Sequence, residues 1–307
     1  MKNIPPQQLH SSSSSEDETS IHIPVLLEDT FKVLAPKAGE SYLDLTAGYG
    51  GHASRIINVI GASNATLVDR DQRAIDHLKK FEDQGAQLVK SDFAAYAEAA
   101  AAADTKYDMV LVDLGVSSPQ LDLAERGFSI QRDGPLDMRM DTSGAVTASD
   151  VVNRASEKEL SRIIETYGEE RKSRANAIAY AIRTNRPIRT TSHLAQVVLS
   201  THRGPHQKVH PATRTFQAIR IVVNKELEQV ERLCAVLPKL LRPGGRVAII
   251  SFHSLEDRLI KRYFAEQADA GYEAELKLLT KKAIRGATND VHNPRARSAT
   301  LRAAVKI

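Results

Sequence analysis

The stretch Leu43-Asp44-Leu45-Thr46-Ala47-Gly48-Tyr49-Gly50-Gly51-His52 lies between an apolar strand signal at 41–45 and a helix signal at 51–60. The next apolar run, Ala65-Thr66-Leu67-Val68, ends on an acid, Asp69. Strand, glycine loop, helix, strand and carboxylate, in that order, form a nucleoside-binding layout. Glycines let a backbone approach a ligand closely, and a helix N-terminus offers free N–H groups to an anion. A carboxylate closing the second strand can accept both ribose hydroxyls. The spacing Gly48-x-Gly50-Gly51 is not G-x-G-x-x-G, so the loop alone does not say which nucleoside binds.

Working outward, a helix signal at 25–34 precedes the loop, and strand signals at 86–89 and 108–113 alternate with helical segments such as 71–81. That alternation predicts βαβ units and a parallel sheet. It stops after Asp113. Residues 118–145 are loop-rich, and helical patterns follow at 149–154, 156–166, 168–183 and 190–200, with Ser156-x-x-Glu159 as a capping box. A long helix is expected at 213–237, and a strand at 246–251 then resumes the sheet. The fold class is α/β: a core at 21–120 and 213–307, interrupted by a helical insertion at 121–212. The polar segment 1–20, with five serines followed by Glu16-Asp17-Glu18, reads as a disordered tail.

The 307 residues suffice for one large domain or two ordinary ones. No apolar run approaches the roughly 18 residues of a membrane span, and no signal peptide is visible. A single cysteine excludes an internal disulfide framework and fits a cytoplasmic location. The net charge of +4 hides a gradient: the balance is −7 over 1–117, +3 over 118–212 and +8 over 213–307. A basic half beside an acidic nucleoside-binding half suits a polyanionic substrate, although charge alone is equally that of a solvated basic tail.

Asp113-Leu114-Gly115-Val116-Ser117-Ser118-Pro119-Gln120 follows the fourth strand, where doubly wound sheets bind their ligands. Together with it, six further blocks match one family: Asp44-x-Thr46-x-Gly48-x-Gly50-Gly51-His52, Asp133 through Asp141, Tyr167 through Arg171, His210 through Ala218, Ser251 through Arg258, and Asn293 through Ser298. His22 through Leu27 and Arg126 through Ser129 match it as well. Over about residues 21–303 the chain resembles the bacterial 16S ribosomal RNA cytosine-N4 methyltransferases, which depend on S-adenosylmethionine.

The resemblance implies a Rossmann-like methyltransferase core whose inserted helical domain recognises substrate. It implies cofactor contacts at Gly50, Gly51, His52, Asp69, Phe93, Asp113 and Gln120. The loop and helix N-terminus suit the methionyl carboxylate, and Asp69 the ribose. Phe93 can pack on adenine, with Asp92 an alternative adenine-side contact. Asp113 can meet the cationic methionyl end. The implied partner is 16S rRNA, at the decoding region of an assembled or nearly assembled 30S particle. No membrane is expected, and a homodimer is left open.

The cytosine amine is a weak nucleophile because its lone pair is delocalised into the ring, so transfer rests on positioning and electrostatics. Ser117-Ser118-Pro119-Gln120 sits like the (Asp/Asn/Ser)-Pro-Pro-aromatic turn of DNA amino-methyltransferases, but lacks one proline and the aromatic. Ser118 and Pro119 are the catalytic candidates, and stacking on the base must come from elsewhere, such as Phe252. His253 is a candidate to accept or relay the amine proton; alternatively it orients a loop while Ser254-x-x-Asp257 caps the helix. C5 methylation is disfavoured, because it needs a cysteine nucleophile and Cys234 lies in an apolar helix. His202, His206 and His210 have helical spacing, but Gly204, Pro205 and Pro211 break the helix, and no metal is expected. Arg126, Arg132, Arg139, Arg295, Arg297 and Arg302 are candidate phosphate contacts, with an internal ion-pair network as the alternative for the loop arginines. Outside this reading stand an amino-methyltransferase on DNA or another RNA, and an assembly factor that holds the cofactor without turnover.

Overall fold

The computed structural model describes residues 24–205 and 209–307. The tail at 1–20, His22 and His206 lie outside the described residues. The strands are β1 (Tyr42–Asp44), β2 (Ala65–Asp69), β3 (Gln87–Lys90), β4 (Tyr107–Asp113), β5 (Leu241–Ser251), β6 (Leu276–Leu278), β7 (Ile284–Arg285) and β8 (Thr300–Lys306). Among the described residues they form one sheet in the order β3-β2-β1-β4-β5-β8-β6, with β7 paired to β8. Pairing from β3 to β5 is parallel, and β8 runs antiparallel to β5, β6 and β7.

The sheet is covered on both faces because its strands carry apolar residues at odd and even positions alike. Tyr42, Leu67, Met109, Leu111, Ala248 and Ile250 pack into one cluster with α1 (Leu27–Leu34), α2 (Gly51–Ile60) and α3 (Gln72–Glu82). Leu43, Val68, Val110, Val112, Val247 and Ile249 pack into the other, with α4 (Phe93–Ala102) and two later helices.

After β4 come α5 (Ser118–Asp122), α6 (Ala148–Arg154), α7 (Glu157–Gly168), α8 (Lys172–Thr184) and α9 (Thr191–Ser200). Ser156 and Glu159 form the expected capping box at the start of α7. From α6 onward these helices build a separate apolar core around Val152, Leu160, Ile164, Ile178, Ile182 and Leu194.

Two expectations change here. The single helix at 213–237 is two, α10 (Thr213–Asn224) and α11 (Glu226–Val236), broken where Lys225 adopts a left-handed conformation at φ 52°. Phe216, Ala218 and Ile219 of α10 pack into the same apolar core as the helices from α6 to α9. The alternative of a solvated basic tail does not hold for the end of the basic half, residues 277–307. This stretch supplies most of β6, all of β7 and β8, and Arg302 and Lys306 pair with Asp257 and Glu275. The chain from β5 continues into α12 (Ser254–Asp269), which covers the second face beside α4 and α11.

Candidate active site

Three neighbouring parallel strands each end on an acid: Asp44 on β1, Asp69 on β2 and Asp113 on β4. Asp44 pairs in register with Leu67 and Leu111, so Asp69 and Asp113 lie two residues further along their strands. Side chains two apart share a face, and the three carboxylates therefore converge on one side of the sheet.

Their hydrogen bonds come from the adjoining loops. Asp44 accepts from Tyr42 Oη at 2.8 Å and Thr46 N at 3.2 Å. Asp69 accepts from Gly48 N and Asp71 N, each at 2.8 Å. Asp113 donates its own N–H to Thr46 Oγ1, and its Oδ2 lies 3.7 Å from His52 Nε2. Its Oδ1 is buried with no hydrogen-bond partner.

Burial raises all three carboxyl pKa values. Asp44 reaches about 7 although its two donors oppose the shift. Asp69 reaches about 6. Asp113 rises well above the ordinary range, first by burial and then by repulsion from Asp44 and Glu256. Three carboxyl groups raised above their ordinary range by burial, one with an orphaned oxygen, would be drawn back toward the charged form by a cation beside them.

Opposite them stands the N-terminus of α2. Gly50 is its N-cap at φ 79°, no side chain caps it, and no acid occupies its first turn. The glycines serve a purpose that the loop sequence did not reveal. A Cβ on Gly50 would sit 2.5 Å from the Phe81 ring, and one on Gly51 would sit 2.4 Å from Pro24 Cγ. They bring the helix end close to α3 and to the segment before α1, and its N–H groups are left for an anion.

Phe93 opens α4 and is half-buried, and Asp92 caps that helix through Ala95 N at 2.9 Å. A polar recess of about 150 Å³ lies beside them, lined by Arg70, Lys90, Ser91, Asp92 and the insertion's Asp141.

Ser118 is buried at the start of α5 and Pro119 follows it, so the turn is rigid. Gln120 faces inward: its Oε1 accepts from Ser117 N at 3.1 Å and its Nε2 donates to Asp71 Oδ2 at 3.0 Å. Asp71 had no role in the sequence reading. It caps α3 through Arg73 N and takes a 2.6 Å bond from Arg126 Nη1. Its only local signal is an acid just before a helix.

Arg126 is 5% exposed and also donates to the carbonyls of Arg139 and Met140, which places it away from any RNA surface. Arg139 pairs with Asp137 at 2.7 Å. Arg132 and Arg295 converge on Asp122, and Arg302 pairs with Asp257, whereas Arg297 is exposed. His202 meets Arg174 and His210 accepts from Ala212 N, so these two face different groups.

At the end of β5, the cap of α12 is His253 with Glu256 rather than Ser254 with Asp257. Its stronger half is Glu256 Oε2, accepting from Phe252 N at 2.9 Å and His253 N at 3.3 Å; the return contact to His253 Nδ1 is 3.4 Å. Ser254 Oγ instead donates to Glu169 of the insertion, and Asp257 holds Arg302.

His253 Nε2 lies 3.3 Å from Glu256 and 3.8 Å from Glu226, while Arg220 donates to both oxygens of Glu226 at 2.8 Å. Burial opposes protonation of His253, but the two carboxylates prevail and raise its pKa to about 9. An imidazolium has no lone pair to accept an amine proton, which favours a positioning role over a base. Glu226, His253 and Glu256 bring potential ligand atoms within 4.8 Å of one another. Arg220 on Glu226 and the balanced charges make the group an ion-pair network.

The sequence profile of the MraW methylase family matches residues 19–307. Ribosomal RNA small subunit methyltransferase H of Koribacter versatilis is 45% identical over 298 residues, covering 93% of this chain and 94% of that protein. The protein of the same name from Trichormus variabilis is 45% identical over 302 residues, covering 96% and 95%. A solved structure of a putative rRNA-methylase from Clostridium thermocellum aligns with a TM-score of 0.41 at 13% identity, covering 94% of this chain and 100% of that one.

Proposed function

The chain belongs to the MraW methylase family, and we infer that it transfers a methyl group from S-adenosylmethionine to the N4 amine of a cytidine in 16S ribosomal RNA. The observation that carries the chemistry is the buried, unpartnered Oδ1 of Asp113 among the carboxylates of Asp44 and Asp69. That cluster, beside an uncapped helix N-terminus, suits a ligand that carries an anionic and a cationic group close together.

In this reading the α2 N-terminus at Gly50, Gly51 and His52 takes the methionyl carboxylate. Asp69 takes the ribose diol, Phe93 packs on adenine, and Asp113 faces the cationic end. Gln120 holds the catalytic turn against Asp71 beside them. When bound, S-adenosylmethionine would supply an electrophilic methyl group, its sulfur leaving as a neutral thioether while the amine gives up one proton to water. Ser118 and the carbonyls of the 113–119 turn accept the amine N–H groups and aim its lone pair, with Pro119 fixing the turn. His253 holds its loop.

The decoding region as target, the 30S particle as substrate and the cytoplasm as compartment belong to the same proposal. No described helix is long and apolar enough to cross a membrane. Sedimentation of the purified chain reads whether a homodimer forms.

The test is incubation with methyl-labelled S-adenosylmethionine and 30S particles, free 16S rRNA or DNA, followed by nucleoside mapping. Label on N4 of one cytidine in 16S rRNA is expected. Label on DNA, or cofactor binding with no transfer, supports the two other readings and defeats this one. Ser118→Ala at the wild-type rate removes Ser118 from its role.

A further inference from the structure

The turn Ser117-Ser118-Pro119-Gln120 has no aromatic residue to stack on a cytosine held at Ser118. The structure brings one from another strand. Phe252 follows β5 directly, and Leu114 N donates to Ile250 O, so the ends of β4 and β5 are tied together. A Cβ placed on Gly115 would lie 3.2 Å from Phe252 Cδ2. The ring thus rests against the loop between Asp113 and Ser118, and it is half-buried, packed on one side against the sheet core.

Four buried or mostly buried charged residues stand behind it. Glu256 is 1% exposed and accepts the Phe252 N–H directly. His253 Nε2 lies within ion-pair distance of Glu256 at 3.3 Å and Glu226 at 3.8 Å without a hydrogen bond to either, and Arg220 clamps Glu226 with two 2.8 Å bonds. This set carries two positive and two negative charges when His253 is protonated. Breaking a buried pair leaves an uncompensated charge, so such a set holds one geometry. The charged and titratable groups facing His253 are Glu226 of α11, Arg220 of α10 and Glu256 of α12.

We propose that Phe252 is the stacking platform for the target cytosine, and that Arg220, Glu226, His253 and Glu256 are positioning residues that hold its ring over the catalytic turn. The proposal rests on the cytidine-N4 reading of the site. Stacking on an aromatic ring is sequence-tolerant and contributes substantially to binding of an unpaired base. It also orients the ring whose exocyclic amine must meet the methyl group.

The test measures single-turnover methylation of 30S particles at saturating cofactor, with cofactor affinity measured separately and folding checked by chemical denaturation. Phe252→Leu is expected to lose roughly tenfold or more in transfer, the scale of one lost base–aromatic contact, while cofactor affinity stays within about twofold. Phe252→Tyr keeps the ring and is expected to recover most of that loss. Glu226→Gln is expected to fall in the same direction. The combined Phe252→Leu/Glu226→Gln variant should be no worse than Phe252→Leu alone, because both remove one function.

The chain has no tryptophan, so Phe252→Trp introduces a unique fluorophore, and its emission should shift when Glu226→Gln is added. Wild-type transfer by Phe252→Leu overturns the platform. Additive losses in the double variant, or indole emission from Phe252→Trp that is unchanged by Glu226→Gln, overturn the positioning network. If the wild-type protein itself fails to label cytidine N4, the functional reading fails instead, and the two failures are distinct.

Discussion

Asp44→Asn removes a carboxylate that is 1% exposed and held by Tyr42 Oη and Thr46 N. Burial lifts its pKa from 3.8 to about 7 despite those two donors. Ionising it in the fold therefore costs about 4 kcal/mol more than ionising it in the unfolded chain, at 1.36 kcal/mol per pKa unit. Below the unfolded value both states are protonated and the penalty is absent. Between that value and about 7 the native state binds the extra proton, so stability falls as pH rises. Above about 7 the full penalty is present.

Asparagine has the same shape and no charge. Its oxygen can keep the Thr46 N–H and its amide can donate to Tyr42 Oη. Urea unfolding at pH 8 should find Asp44→Asn more stable than wild type by up to about 4 kcal/mol, and at pH 5 by less than half as much. The same substitution should weaken cofactor binding roughly tenfold in calorimetry, since a charge at several ångströms in an intermediate dielectric contributes one to two kcal/mol. A variant that is less stable at pH 8, or one whose gain is the same at both pH values, refutes the assignment of Asp44 as a strained carboxylate kept for a cation. Stability given up at a site in this way is a recognised trade against function.

Affinity for S-adenosylmethionine should fall as pH drops from 8 to 5.5, because Asp44 and Asp69 take up protons near pH 7 and 6. The demethylated product keeps the methionyl ammonium that Asp113 faces and should show a similar dependence; an affinity that does not change between pH 8 and 5.5 counts against it. Gly51→Ala puts a Cβ 2.4 Å from Pro24 Cγ and should cost about 1–3 kcal/mol by overpacking, read by denaturant midpoint. Arg126→Met strands Asp71 and two carbonyls and should cost about 3–5 kcal/mol, with part regained when Asp71→Asn is added. Equal stability of the single and double variants defeats that pairing.

The parallel half of the sheet was legible because strand, loop and helix periods alternate over a short span, each with its own local signal. β8 was not, since Ala303 and Ala304 at its centre have low strand preference and its pairing partner β5 is distant in sequence. The break at Lys225 was hidden because a lysine takes the left-handed conformation there instead of a glycine. The α12 cap went to Ser254 and Asp257 by rule, yet Glu256 reaches back to Phe252 and His253, and a histidine is not an expected cap. Arg126 looked like a phosphate contact beside a substrate loop. Its burial depends on Asp71, Arg139 and Met140 converging in space, which no local pattern encodes.

That convergence explains how a helical insertion can serve a site on the core. Asp71 lies two residues beyond Asp69 and takes bonds from Gln120 of the 117–120 turn and Arg126 of the segment that follows. Arg126 grips the carbonyls of residues 139 and 140, and Asn224 holds the same segment through Met138 O and Met140 N. Asn224 is also the residue at which the chain leaves the insertion for α11. Arg126 near the entry and Asn224 at the exit are thus both bonded to the 138–140 segment, and Arg126 is bonded through Asp71 to the turn that carries Gln120. In a buried network each bond is strengthened by its neighbours, and losing one leaves the others unsatisfied. The turn at 117–120 is therefore held by the core through Asp71, which the insertion holds in turn through Arg126. Removing the insertion would take Arg126 from Asp71 and leave a buried carboxylate with one of its two side-chain donors gone, so the two cores are bonded into one unit at this point.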